Sequence, residues 1–528
     1  MRRQVPLASA FIVFIVFSLL LGACGNRSRD FTIALYEKIT ALDPVTAQDT
    51  KAANDRVRAL LFNSLVKKNE KFEYVPDLAS KIDTSADGTV YTFTLHDNVK
   101  FHDGRPLTSA DAKYTLDTLL ANQGAPKAAS FFENVNGQKE PHVAAIDTPD
   151  PRTLVIRLSK PWSALLSNLV PIGIIPQNSV ATQNAHPIGS GPFKFVAWDS
   201  AQGFVDLEAN NDYWEGAPEI KNIRVRPIED ANALQAELNS GRVDLAPFPT
   251  NVSPDALEAL KNQGNLQVVQ APGSNITYLN FNVQADPVSN LTVRQAIAYA
   301  IDRTKIVSQL LRNQGEVANS ILPEECWAFA PGQKYSYDPE KAKQLLDQAG
   351  FRDPDGDGPQ MRFAKPLVYS IASNSVTARQ YAQVIQDDLK KVGIPVEIET
   401  METAILIDRQ KKGQFQIASG NWVGGNQDPV FLKDLFDSTG IPPGSPNGRN
   451  RSRYNNPEFD KLIEEATSTT DREKAFGLYS RAQDILSRDI PMLPLWYPAN
   501  LVIAKKNVSN IKFDASGDWS FIKNLKVG

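Results

Sequence analysis

The longest apolar run in the chain stands at its start. Residues 5–21 are interrupted only by Pro6, Ser9 and Ser18 and follow two positive charges, Arg2 and Arg3. That charged-then-apolar order belongs to an export signal and not to a stable membrane span. The run closes on Leu21-Gly22-Ala23-Cys24, which resembles a lipobox, the small-residue site where a peptidase cuts before a cysteine that receives lipid. Residues 1–23 are therefore expected to be removed, Cys24 to become the lipid-bearing N-terminus, and residues 24–30 to form a polar tether. No later stretch reaches the 18–20 apolar residues of a membrane span, so the rest is expected to fold as a soluble body, lipid-anchored to the cell envelope outside the cytoplasm. With Cys24 acylated, Cys326 has no partner for an internal disulfide.

What remains is long enough for about three domains. Hydrophobic residues make up 42% of the chain, ample for packed cores. A net charge of −4, moving to −6 once Arg2 and Arg3 are removed, supplies no basic field for a phosphate backbone, so nucleic acid is not an expected partner. Four histidines and two cysteines are too few for a Cys/His zinc site of common spacing or a disulfide framework.

Strand and helix patterns alternate along the mature chain without a fixed repeat, which predicts an α/β fold with mixed sheets. Tyr91, Phe93 and Leu95 share one face of an alternating strand, and Val99 and Phe101 are expected on a second strand of the same hairpin. Thr108 with Asp111 reads as a capping box opening a helix to Leu120. Asp338-Pro339 starts another helix with Ala342, Leu345, Leu346 and Ala349 as its apolar stripe and Gly350 as its stop. Residues 293–311 are expected to form a single helix. Prolines and glycines at 441–450 read as a surface loop.

Catalytic signatures are sparse. There is no Walker A lysine, no G-x-S-x-G elbow and no H-E-x-x-H helix, which argues against an enzyme. His96 and His102 read as packing or surface residues in place of metal ligands. Asp353, Asp355 and Asp357 with Gly358 copy the first half of a calcium loop, but Met361 and Ala364 stand where oxygen ligands are needed. No metal or cofactor is expected. The most informative stretch begins with a strand at 415–418, continues as an open loop from Gly420 through Asn421, Trp422, Gly425 and Asn426, and reaches a helix capped by Asp428. A loop leaving the carboxyl end of a strand is where open α/β sheets place ligands, with Trp422 offering an aromatic face and the asparagines offering amides. Trp422 as core and Asp428 as a simple cap are the plain alternatives. Arg449, Arg451 and Arg453 stand nearby, either as solvated surface or facing an anionic ligand.

Several motifs then resemble one family in order along the chain. They are Leu42-Asp43-Pro44, Tyr91 to Leu95 with Val99 to Asp111, Gly189-Ser190-Gly191-Pro192-Phe193, Asn211-Asp212-Tyr213-Trp214, Ser240-Gly241-Arg242-Val243-Asp244 and Val293-Arg294-Gln295-Ala296-Ile297. The family is the extracellular solute-binding proteins of ABC importers, family 5, the oligopeptide, dipeptide and nickel group. The resemblance implies a two-lobed periplasmic-binding-protein-like fold of type II, the large class with an extra subdomain, its lobes joined by a hinge crossed twice. It places the crossings near 280–287 and 492–497, lobe 1 at 31–281 with an inserted subdomain at about 45–170, lobe 2 at 282–495, and a return to lobe 1 at 496–528. The implied partners are a peptide or peptide-like solute, a membrane permease and the membrane itself through the lipid, with the protein acting as a monomer.

Tyr36, Glu37, Asn374, Asn421, Trp422, Gly425 and Asn426 are the implied ligand contacts. Peptide-binding members carry an aspartate for the ligand's α-ammonium where this chain has Gly425, and dipeptide-type members carry an arginine for the carboxylate where this chain reads Ala372-Ser373-Asn374-Ser375. A buried ammonium without a counter-charge costs several kcal/mol, so a free dipeptide fits poorly unless Glu37 substitutes. A longer or blocked peptide, an oligosaccharide or glycoconjugate, or a metal chelate remains open, with an extracellular hydrolase as the rival from another class.

Overall fold

The strand Phe31–Leu35 is buried at every position, as a central strand flanked on both faces must be. It lies parallel to Asn222–Pro227 and Leu245–Pro247 at the middle of a seven-stranded sheet. The computed structural model describes residues 30–528 apart from 50, 136, 137, 357, 374, 425, 426, 446, 447 and 470, so the export signal, Cys24 and most of the tether lie outside the described residues. Among the described residues no helix is long and apolar enough to cross a membrane.

A second, six-stranded sheet runs in the order Gly315–Val317, Met492–Pro498, Ile276–Phe281, Ile417–Trp422, Leu367–Ala372 and Val396–Met401. Its last three strands are parallel and are linked by the helices Val376–Lys391 and Thr403–Lys411, the expected crossover arrangement. Each sheet has its own apolar core, so the molecule is two-lobed. Residues 79–158 contribute a four-stranded sheet whose buried face, Tyr91, Phe93, Leu154 and Ile156 among it, merges with the core of the first lobe.

The chain passes from the first sheet to the second over residues 272–275 and returns at Ala499. These changeovers differ from the expected ones. Ile276–Phe281 pairs with Ile417–Trp422 and Met492–Pro498, so it belongs to the second sheet, and that sheet runs on to Pro498. The two crossings touch: a Cβ on Gly273 would stand 1.9 Å from the Pro498 carbonyl oxygen, an approach only glycine allows.

The locally encoded elements form as read. Asp111 accepts from both the backbone N–H and the hydroxyl of Thr108, opening the helix Ser109–Ala121. Asp338 accepts from the Lys341 N–H, opening Pro339–Gln348. Three expectations fail. Val99 and Phe101 are buried, but Val90–Leu95 pairs with Ala79–Thr84 and Thr153–Leu158, and residues 99–106 close on themselves through a Phe101 to Arg105 backbone bond with Gly104 at φ +88. The helix expected at 293–311 stops at Ala300, because Ile301 is extended and Asp302 caps a new turn at Arg303–Lys305. The segment 420–422 is strand instead of open loop, held by Ile276 and Thr277 opposite. The calcium-like loop is engaged internally: Asp353 faces Arg362 and Asp355 accepts from the Gln360 N–H, while Asp357 lies outside the described residues.

Two of the quoted motifs, those with His102 and with Gly189 to Phe193, meet at the end of the helix Ala52–Leu61. The Gly191 N–H caps the Leu61 carbonyl, and a Cβ on Gly189 would stand 2.0 Å from that oxygen. His102 donates from Nε2 to the Gly191 carbonyl at 3.1 Å and accepts from the Gly189 N–H at Nδ1, and the Asn210 amide also reaches Gly191. The ring is therefore a neutral scaffold group, and burial pulls its pKa down to about 4. The unfolded chain binds a proton below its ordinary value of about 6.5 and the folded one does not, so stability is lost as pH falls from about 6.5 to 4, by about 3 kcal/mol at most. His102→Gln keeps a donor and an acceptor without the titration. Urea unfolding at pH 7.5 and 4.5 should show a smaller acid loss in the variant; equal losses refute the assignment.

Candidate functional site

Trp422 ends the strand Ile417–Trp422 at its carboxyl end, where the parallel part of the second sheet opens toward the first lobe. Its ring lies near-parallel to Tyr278 with centroids 6.1 Å apart, meets Phe431 edge-on at 5.4 Å, and has the Arg451 guanidinium 5.2 Å from its centroid. The ring is thus half-buried and packed, with its indole N–H sealed from solvent and without a hydrogen-bond partner among the described residues. Gly420 makes room for Tyr278, since a Cβ there would stand 2.6 Å from the phenol oxygen. Asn421 accepts from the Thr277 hydroxyl at 2.7 Å, and Val423 is exposed beyond it. Asn374, Gly425 and Asn426 lie outside the described residues.

On the first lobe, Tyr36 and Glu37 follow directly from the central strand. Glu37 accepts from the Ala53 N–H at 3.2 Å, serving the first turn of the helix Ala52–Leu61, whose own cap residue, Lys51, offers no side-chain bond. Arg56, one turn along that helix, lies over the Tyr36 ring at 5.2 Å and the Phe248 ring at 5.6 Å. Burial lowers the Arg56 pKa, opposed by Tyr36 and Glu37, and burial raises that of Tyr36. Glu37 therefore already has a helix end and a nearby cation to satisfy, which weakens it as a substitute for the aspartate absent at position 425. Among the described residues no hydrogen bond, ion pair or ring contact joins Tyr36 or Glu37 to Trp422 or Asn421; the two groups stand on opposite lobes.

What joins the lobes beside this site was invisible in the sequence. The hairpin of Val66–Lys68 and Tyr74–Pro76 comes from the first lobe's side, and its turn is shaped by Asn69, whose side-chain oxygen accepts from the Lys71 and Glu73 N–H groups. At the tip Phe72, with φ +58, is buried in an apolar cluster that includes Leu322, Cys326, Phe431 and Leu432. Lys68 donates to the Gln427 side-chain oxygen at 2.9 Å, Tyr74 donates to Asp428, and Glu73 pairs with Arg472 at 3.0 Å. Gln427 also donates to Ser274 and to the Ser516 carbonyl, so it touches the hinge and the C-terminal segment together. Burial lowers the Lys68 pKa, raises that of Tyr74, and pushes the Cys326 thiol up to about 12, leaving it neutral. Asp428 does not open a helix directly. It accepts from the Val430 N–H, and the helix begins at Phe431. Nothing local in the sequence marks Phe72, Lys68 or Tyr74, because their partners lie more than 350 residues away in the latter two cases.

Two lobes, each with parallel strands ending at the seam between them and joined by paired crossings, define a solute-binding protein. The chain belongs to the bacterial extracellular solute-binding proteins, family 5: the sequence model of that family's middle region matches residues 73–443. It is 30% identical to heme-binding protein A of Haemophilus influenzae over 82% of this chain and 81% of that one. It is 28% identical to the dipeptide-binding protein of Escherichia coli, covering 88% and 89%. Among solved structures, the oligopeptide-binding protein AppA of Bacillus subtilis in complex with a nonapeptide superposes with a TM-score of 0.72 at 26% identity, over 94% of this chain and 99% of that one.

Phe72→Ala should lower unfolding stability by about 3–5 kcal/mol, the usual cost of truncating a buried phenylalanine. It should also speed amide exchange in the helix Phe431–Phe436, which packs in the same cluster. A loss under about 1 kcal/mol with unchanged exchange would show that the tip is not held as described.

Proposed function

We propose that this chain is the substrate-binding receptor of an ABC importer, capturing a peptide or peptide-like solute outside the cytoplasmic membrane and delivering it unaltered to the permease. Its lobes, residues 30–271 with 500–528 and residues 276–498, close on the solute about the crossings at 272–275 and Ala499. Cys24 carries the lipid that holds the receptor, a monomer, at the membrane. The observation that carries this reading is the placement of Tyr36 and Trp422 at strand ends on opposite lobes of a family 5 fold. Ligand contacts to both lobes then favour the closed state, which the permease recognises. Asn374, Gly425 and Asn426 join Tyr36, Glu37, Asn421 and Trp422 as ligand neighbours in this reading.

A non-peptide solute is the second reading, favoured by the 30% identity to a heme-binding relative. Native mass spectrometry of freshly purified protein separates the two, because the mass of a retained ligand identifies its class. Stoichiometric binding with thermal stabilisation and no product supports a receptor. Conversion of the bound solute would mark the chain as a hydrolase instead.

The neutral residue at position 425 removes a counter-charge for a free amine. Gly425→Asp should therefore tighten binding of a free-amine tripeptide at least tenfold while leaving its N-acetylated form unchanged or weaker, read by calorimetry. Equal affinities before and after the change would mean that position 425 does not face the ligand's amino end.

A further inference from the structure

The three arginines at 449–453 have different surroundings. Arg449 pairs with Asp434 at 3.1 Å, and Arg453 donates to the Gln284 side chain and the Pro442 carbonyl. Arg451 has neither kind of partner. Its guanidinium lies 5.2 Å from the Trp422 centroid, its Nε is sealed from solvent with nothing to accept from it, and no ion pair or hydrogen bond of its side chain occurs among the described residues. A half-buried guanidinium over a ring face is an incomplete arrangement, because its Nε–H has lost water and gained no acceptor while its two terminal NH2 groups stay open to an incoming acceptor.

The backbone around it is fixed. Asn450, fully buried, donates to the carbonyls of Phe436, Asp437 and Tyr454 and accepts from Ser452 and the Tyr454 N–H. The Val283 N–H donates to the Ser452 carbonyl at 3.0 Å. A cation presented on a loop clamped at both neighbours is pre-ordered, so little freedom is lost when an acceptor arrives. The acids of the adjoining segment are engaged elsewhere: Asp434 by Arg449, and Asp428 by Tyr74 and the Val430 N–H.

We propose that Arg451 is a specificity-determining residue: its guanidinium, held over the Trp422 ring, receives a carboxylate of the bound solute, so the receptor selects anionic ligands. A planar guanidinium matches a carboxylate with two parallel bonds, and a half-buried setting strengthens them. This rests on the receptor reading above and adds the charge of the ligand to it.

The test uses the full-length mature protein and three matched probe pairs: trialanine acid against trialanine amide, N-acetyl-trialanine acid against its amide, and Ala-Glu-Ala against Ala-Gln-Ala. Calorimetry compares wild type with Arg451→Gln and Arg451→Lys, and melting temperatures establish that each variant is folded. In at least one pair the acid member should bind wild type 30-fold or more tighter than its neutral counterpart. Arg451→Gln should bring that pair to within about threefold, while Arg451→Lys keeps part of the preference. Equal binding of acid and neutral members by wild type, or a preference that survives Arg451→Gln, overturns the inference and leaves the receptor reading intact. If wild type binds no peptide of the set, the peptide reading fails, and the dicarboxylates from succinate to suberate decide the matter for Arg451. Thermal stabilisation of wild type but not of Arg451→Gln by one of them supports the carboxylate site, and its absence refutes it.

Discussion

Two antiparallel strand pairs hold this molecule together across its middle. Leu266–Ala271 is hydrogen-bonded to Asn500–Lys505 in one sheet, and Ile276–Phe281 is hydrogen-bonded to Met492–Pro498 in the other. Both lobes therefore share one ribbon that is interrupted only at 272–275 and at Ala499. Everything else follows from that continuity: the sheets cannot slide independently, and relative motion is confined to a few backbone torsions where Gly273 lies against Pro498. The strand ends bearing Tyr36 and Trp422 are carried by these two sheets.

Much of the polar chemistry that stands out in the sequence serves as scaffold. His102 and the glycines at 189 and 191 seal a helix end, and Glu37 reaches the start of the same helix. The helix Ala52–Leu61 is thus fixed at both ends by residues from distant segments, which holds Arg56 against Tyr36 and Phe248. Aromatic packing does the corresponding work on the other lobe, where Tyr278, Phe431 and Arg451 hold the Trp422 ring in place.

The elements legible in the sequence are those whose instructions are local. The Thr108–Asp111 box and the Asp338 cap need only residues three positions apart, and both form. The strand through Gly420, Asn421 and Trp422 escaped notice because its partner, Ile276–Phe281, lies some 140 residues earlier, and glycine next to asparagine otherwise reads as a loop. The break at Ile301 was masked by a continuous apolar stripe, and Val99 with Phe101 had strand-like spacing whose burial comes from a folded-back turn. Of the residues expected at the site, Trp422 and Asn421 stand out as an aromatic and an amide beside glycines, and the structure puts both at the end of the strand Ile417–Trp422, while Asn374 and Asn426 lie outside the described residues. The three arginines were found as a group, but only Asp434 and Gln284, brought in by tertiary packing, separate Arg451 from its neighbours. Phe72 carried no signal at all, since an isolated phenylalanine between charged residues looks like surface.

That phenylalanine gives the two lobes an unequal relationship. The stem of its hairpin belongs to one body and its socket to the other, so swinging apart at the ribbon is not sufficient to separate them. An aromatic ring carries about 150–250 Å² of surface, and returning it to water costs roughly 4–6 kcal/mol. If the ring leaves before the lobes part, escape of a guest is timed by the unplugging of Phe72 as well as by the grip on the guest itself. A carrier built this way holds weakly gripped cargo for longer than the cargo's own contacts would dictate.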